Sequence, residues 1–306
     1  MARLTESIIV IRNKLFLFLF AFLLSFLPVH AQKLTAFLAD TDQPAPAVIV
    51  CPGGSYSWHD WDTEGVGVAR WLQSEGISAF VLQYPVQGVM SFLSHYRYFW
   101  RGHQHPDAIN ALQKAIVEIR EKADEYHIDP HCIGAMGFSA GGHLVASAAE
   151  FFHSSADRPD FVVPVYPVVT LRNTPWTHKR SRRALLGEYR KRNTKWQDSL
   201  SLELHVRPDM PPVFLVNCVD DPIVHYHNSE LLDSALTSMG VVHEYHQFKT
   251  GGHGFGADPQ KASKECIVWK DQFITWFDAL KNNQHIVMHS EEELNSNPSN
   301  ELLTNK

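Results

Sequence analysis

The sequence predicts a three-layer α/β fold: a mostly parallel central sheet with helices on both faces. Three observations carry that expectation. Short apolar runs rich in Val, Ile and Phe alternate along the chain with longer amphipathic segments, the pattern of buried parallel strands joined by helices. Gly, Pro or Asp bounds most of the apolar runs. One run passes directly into a helical segment through Gly-x-Ser-x-Gly. The composition agrees. The 306 residues are 44% hydrophobic and 20% charged, with 17 Gly and 17 Pro, which lacks the bias of a disordered, collagen-like or coiled-coil chain. The chain is long enough to bury a sizeable core.

The first segment is a targeting signal. Residues 15–27 are apolar and uncharged, Arg3, Arg12 and Lys14 precede them, and Val29-His30-Ala31 follows. A basic flank, a short apolar stretch and a small residue at the cut make a secretory signal peptide. The run is shorter than the roughly 20 apolar residues of a membrane span, so no stable membrane association is expected after cleavage; an uncleaved anchor that also recruits Ile8–Ile11 is the competing reading. Cleavage after Ala31 leaves an exported chain, periplasmic or secreted, with net charge −8 where the full chain has −6. That mildly acidic balance speaks against a nucleic-acid partner.

The elements then follow in order. Strands are expected at Leu34–Leu38, Ala47–Cys51, Ala79–Tyr84, Ile133–Phe138, Phe161–Tyr166, Val213–Val219 and His243–Phe248. Helices are expected at Gly67–Glu75, Ala108–Tyr126, Ala140–Phe151, Asn228–Met239 and Cys266–Leu280. In the second of these, Ile109, Leu112, Ile116, Ile119 and Ala123 share one face at three- and four-residue spacing. One domain over residues 32–281 accounts for the repetition. Residues 172–207 interrupt it as a basic surface insertion, with nine Lys or Arg between 172 and 195 and Trp176, Tyr189 and Trp196 among them. Such a run can bind nucleic acid or an anionic glycan, but solvated surface is the commoner meaning. Residues 282–306, rich in Asn, Ser and Glu, read as a disordered tail. Cys51, Cys132, Cys218 and Cys266 show no Cys-x-x-Cys spacing, so no zinc or redox motif is suggested; buried free thiols are expected.

Chemistry concentrates at three places. In Gly137-Phe138-Ser139-Ala140-Gly141 a strand turns sharply into a helix, the setting that lifts a serine oxygen above the sheet edge near a helix N-terminus. Ser139 is the candidate nucleophile. Asp220-Asp221 follows the apolar run Val213–Val219, where an acid orients a histidine; Asp221 at the start of the turn is the choice and Asp220 the alternative. His253 sits among glycines in Gly251-Gly252-His253-Gly254. The chain has 18 His, and His225, His227, His243 and His246 lie nearby, but the order Ser, acid, His on a loop after the last strand selects His253 as general base. The glycines after Cys51-Pro52 expose backbone N–H groups, so Gly54 or Ser55, with Ala140, would form an oxyanion hole. No metal and no cofactor is required. Tyr56 and Trp58, with Trp61, Tyr96, Tyr98 and Trp100, lie on segments expected at the C-terminal edge of the sheet, where aromatic faces could stack on sugar rings; ordinary packing is the competing reading.

Taken together, these stretches resemble the α/β-hydrolase family, and within it the bacterial acetyl-xylan-esterase-like members. The resemblance rests on Val48-Ile49-Val50-Cys51-Pro52-Gly53-Gly54-Ser55-Tyr56, Glu64-Gly65, Ala69-Arg70-Trp71-Leu72, Asp107-Ala108 and Ile128-Asp129-Pro130. It continues through Gly137–Leu144, Asp220-Asp221-Pro222, Asn228-Ser229 and Gly252-His253-Gly254. It spans most of residues 46–280. It implies an ester hydrolase acting on acylated carbohydrate, xylan or xylo-oligosaccharides first, or another small ester. A feruloyl or general carboxylesterase, a serine peptidase, or a non-catalytic sugar-binding relative are the alternatives. The sequence departs from the pattern at Cys51-Pro52, where many esterases carry a His, at Ser55 in place of a third Gly, and at Tyr84-Pro85.

Overall fold

The computed structural model describes residues 33–88 and 102–296. Residues 1–31, where a targeting signal is expected, the aromatics Tyr96, Tyr98 and Trp100, and the chain from 297 onward lie outside the described residues. Among the described residues seven strands form one sheet: β1 (Lys33–Phe37), β2 (Ala45–Cys51), β3 (Ser78–Gln83), β4 (Ile128–Phe138), β5 (Val162–Val165), β6 (Val213–Cys218) and β7 (His243–Phe248). Their order is β1-β3-β2-β4-β5-β6-β7. Only β1 runs antiparallel, against β3; every other pairing is parallel.

The side-chain alternation of a strand divides the core between the two faces of the sheet. On one face Ala47, Ile49 and Cys51 of β2 join a cluster with α2 (Asp107–Glu121), α4 (Ala140–Glu150) and α7 (His227–Met239). On the other face Val48 and Val50 pack with α1 (Gly67–Ser74) and α8 (Trp269–Ser296) through Val68, Leu72, Trp269, Phe273 and Phe277. A short helix, α3 (Ala123–Tyr126), follows α2 and ends on His127 in the left-handed region before β4. The expected α/β architecture is therefore present, with a mostly parallel sheet covered on both sides.

Two sequence expectations need correction. The last helix does not end at Leu280: it continues to Ser296, so residues 282–296 of the expected tail are helical. The stretch Lys281–Ser296 contains neither Gly nor Pro, and the run Glu291–Leu294 consists of residues that favour helix; the first proline after it is Pro298. The basic insertion between β5 and β6 is not simply solvated. It folds into α5 (Lys179–Arg190) and α6 (Thr194–Asp198). Ser181, Ala184 and Leu185, spaced three and four apart, turn inward, and Leu186, Leu200 and Leu202 join the core.

The candidate active site

The serine is placed by the strand-to-helix corner. β4 ends at Phe138 and α4 begins at Ala140, which leaves Ser139 alone at the turn with φ 55° and ψ −113°. A non-glycine residue there is strained. The surrounding backbone fixes it: the Ser139 N–H donates to the Val165 carbonyl at 3.0 Å, and the Ser139 carbonyl accepts from His143 and Val168, each at 3.2 Å. The corner closes so tightly that a Cβ at Gly137 would lie 2.1 Å from the Gly141 carbonyl oxygen, which is why the flanking positions are glycine.

His253 reaches this corner from the loop after β7. Its Nε2 lies 2.9 Å from Ser139 Oγ and its Nδ1 lies 2.6 Å from Asp221 Oδ2. The two adjacent aspartates divide the work. Asp221 also accepts from the backbone N–H of Ile223 and Val224 at 2.7 and 2.9 Å, an Asx-type turn that aims the carboxylate at the imidazole. Asp220 accepts instead from the backbone of the histidine loop, Gly252 at 2.8 Å and Gly251 at 3.3 Å. The competing histidines are engaged elsewhere. His243 contacts Asp233, His246 contacts Glu244, and His225 and His227 contact each other.

The segment after β2 lies against the serine. A Cβ at Gly53 would meet Ser139 Cβ at 3.0 Å and the Phe138 carbonyl oxygen at 2.8 Å. Gly54, Ser55 and Tyr56 then run through positive φ values of 129°, 58° and 58°, a tight reversal closed by the N–H groups of Ser57 and Trp58 donating to the Gly54 carbonyl. Gly54 and Ser55 thus share one corner of the molecule with Ala140, the first residue of α4. Tyr56, expected as a stacking platform, is packed inside. It is 3% exposed, its hydroxyl donates to His143 Nδ1 at 2.8 Å, and its ring meets Tyr84 edge-on. Burial lowers His143 to about 4, so the ring is neutral, and its Nε2–H donates to the Leu200 carbonyl at 2.9 Å. The pair ties the helix behind the serine to the basic insertion. Trp58, by contrast, is 36% exposed.

Sequence reading assigned no role to two further groups. Glu64 sits in a one-and-a-half-turn π-helix, Trp61–Val66, and is only 3% exposed. Its Oε2 accepts from the Gly53 N–H at 2.7 Å and its Oε1 from the Tyr166 hydroxyl at 2.8 Å. Tyr166 in turn accepts from the Gly256 N–H at 3.1 Å, and its ring lies 4.5 Å from that of His253. One buried carboxyl thus links the segment beside the serine to the tyrosine beneath the histidine. A Glu-Gly pair in a polar loop carries no periodicity that marks it as buried.

Burial pushes Glu64 up from its ordinary 4.5 to about 7, against the pull of His253 and of its hydrogen bonds to Tyr166 and Gly53. Between those two values the unfolded chain releases a proton that the folded chain keeps. Stability from this group therefore falls as pH rises from about 4.5 to about 7, and the penalty is complete above that. Two to three units correspond to roughly 3 kcal/mol. Glu64→Gln keeps an acceptor for Gly53 and removes the titration. Urea unfolding across this window is expected to show a flatter pH dependence for the variant than for the wild type; parallel curves would contradict the assignment.

All four cysteines are buried free thiols. Cys218 and Cys266 bring their sulfurs to 3.4 Å beneath Gly251 of the histidine loop.

Comparison with known proteins places this arrangement in a family. Residues 37–236 match the BD-FAE family model. The chain is 31% identical over 232 residues to an endo-1,4-β-xylanase B of Butyrivibrio fibrisolvens, covering 72% of this chain and 34% of that protein. It is 28% identical over 215 residues to an acetylxylan esterase of Xylanibacter ruminicola, covering 69% of this chain and 41% of that protein. The chain thus spans well under half the length of these two curated relatives. An acetyl ester-xyloside bifunctional hydrolase from Caldicellulosiruptor lactoaceticus superposes with a TM-score of 0.72 at 31% identity, over 84% of this chain and 93% of that one. With the seven-stranded sheet and the serine at its strand-to-helix corner, these matches identify the chain as a member of the BD-FAE family, built on the α/β-hydrolase fold.

Proposed function

We propose that the protein is an exported serine esterase that deacetylates xylan or xylo-oligosaccharides. The single observation that carries the reading is the continuous link Ser139 Oγ, His253 Nε2, His253 Nδ1, Asp221 Oδ2, at 2.9 and 2.6 Å. A serine hydroxyl is a weak nucleophile until a base accepts its proton. In the proposed reaction His253 Nε2 takes that proton as Oγ bonds to the ester carbonyl carbon. Asp221 holds the ring in the tautomer that leaves Nε2 free to accept and stabilises the imidazolium that results. The carbonyl oxygen becomes an oxyanion, held by backbone N–H groups of Gly54 or Ser55 and of Ala140. The C–O bond to the sugar then breaks, and His253 returns the proton to the departing alcohol. Water, deprotonated by the same nitrogen, releases acetate from Ser139.

The substrate class is supported by the names of the relatives, which pair xylan with acetyl ester chemistry. Export is supported by the basic flank and apolar run of residues 3–27 and by Ala31 at the cut. The discriminating experiment is a substrate panel: acetylated xylo-oligosaccharides, a feruloyl ester and a peptide. Release of acetate from the xylo-oligosaccharides with the highest kcat/KM is the expected result. Faster turnover of the feruloyl ester or the peptide would replace this substrate by that one on the same machinery.

A further inference from the structure

The net charge of the chain is −6, yet residues 172–195 hold nine Lys or Arg and one carboxylate, Glu188. The fold gathers six of these cations, Lys179, Arg180, Arg182, Arg183, Lys191 and Arg192, around one open cavity of about 490 Å³. Glu188 pairs with Lys191 and lies 3.8 Å from Arg183, and every residue lining the cavity is a cation. Gathering like charges around a concavity raises the local concentration of anions and favours a bound one. One residue of the cavity wall is linked to the loop beside Ser139. Arg180 lies over the Trp58 ring at 5.7 Å, and the Trp58 N–H is bonded to Gly54 in the loop beside Ser139. His178, next to Lys179, is pushed down to about 4 by burial and by the positive potential of His253 and Arg180, with Asp221 opposing; it therefore lies within electrostatic reach of both the reacting histidine and the cavity wall. Guanidinium groups suit a carboxylate because their paired N–H donors match its two oxygens.

Resting on the esterase reading above, we propose that the preferred substrate is an acidic oligosaccharide ester, in which a uronic-acid carboxylate near the acetylated sugar seats in this cationic cavity while the ester reaches Ser139. The insertion is then a specificity element for charge, separate from the groups that break the bond.

The test compares kcat/KM for two acetylated xylo-oligosaccharides, one with and one without a uronic-acid branch, at low and at high sodium chloride. The wild type is expected to prefer the acidic substrate by about tenfold or more, as a charge-assisted pair implies, and the preference is expected to shrink as salt rises. Arg180→Gln with Arg183→Gln is expected to bring the ratio close to one, and Arg180→Lys with Arg183→Lys to retain most of it. Equal rates on the two substrates in the wild type would overturn the proposal, as would a ratio unchanged in the Gln variant. A single-stranded oligonucleotide that binds in a salt-dependent manner while the two rates stay equal would assign the cavity to nucleic acid instead. Turnover of p-nitrophenyl acetate without turnover of either sugar ester would overturn this inference alone. Failure on all three substrates would overturn the esterase reading as well.

Discussion

Ser139→Ala is expected to reduce kcat/KM on p-nitrophenyl acetate by on the order of 10⁴ to 10⁶, the range seen when the nucleophile of a serine hydrolase is removed. The loss arises because no other hydroxyl stands in Ser139's place at the end of β4: the corner presents one side chain, and His253 Nε2 lies 2.9 Å from its oxygen. The change deletes a single atom at a position already 96% hidden from solvent, since Ser139 is 4% exposed. The backbone bonds that hold the corner, to Val165, His143 and Val168, do not involve the hydroxyl. A melting temperature close to that of the wild type is therefore expected beside the loss of rate. Initial rates and a thermal melt on the same preparation check both parts. A variant with wild-type rate would remove the serine from the mechanism.

Asp221→Asn is the second large effect. An amide in place of the carboxylate can present N–H to His253 Nδ1, which inverts the tautomer and leaves Nε2 unable to accept from the serine; the expected cost is about 10⁴ in kcat at neutral pH. The neighbouring Asp220→Asn is a stringent control, because it changes the same atoms one residue away. Asp220 binds the N–H groups of Gly251 and Gly252, so it shapes the loop that carries His253 without touching the ring. Its replacement weakens charge-assisted hydrogen bonds and is expected to cost on the order of tenfold or less. Steady-state rates for the two variants side by side decide between the acids. The reverse ranking would make Asp220 the partner of the histidine.

The sequence carried these groups because each stands on a pattern with a mechanical cause. The apolar runs of β2, β4 and β6 are continuous because both sides of those strands are covered, Val48 and Val50 by one layer and Ala47 and Ile49 by the other. Gly137 and Gly141 mark the corner because backbone crowding admits no side chain there. What did not show in the sequence depends on contacts between distant segments. Glu64 and Tyr166, 102 residues apart, are joined by a hydrogen bond that neither segment foreshadows. Tyr56 looked like a substrate platform because it follows the glycines; His143, reached across 87 residues, takes its hydroxyl into the core instead. Boundaries moved where propensity was locally ambiguous. β4 begins at Ile128, five residues before the apolar run that announces it, and α8 runs on through a polar segment that lacks any helix breaker. The charge run of 172–195 hid an amphipathic helix, since Ala184, Leu185 and Leu186 are few among its cations.

The account turns on a covalent bond between an acyl group and one oxygen. Incubating the wild-type protein with a p-nitrophenyl phosphonate ester, then locating the label by peptide mass spectrometry, tests that bond directly. The expected result is one phosphonyl group per chain, on Ser139, with activity lost in proportion to labelling. A label on any other residue, or full activity in protein labelled at Ser139, would contradict it.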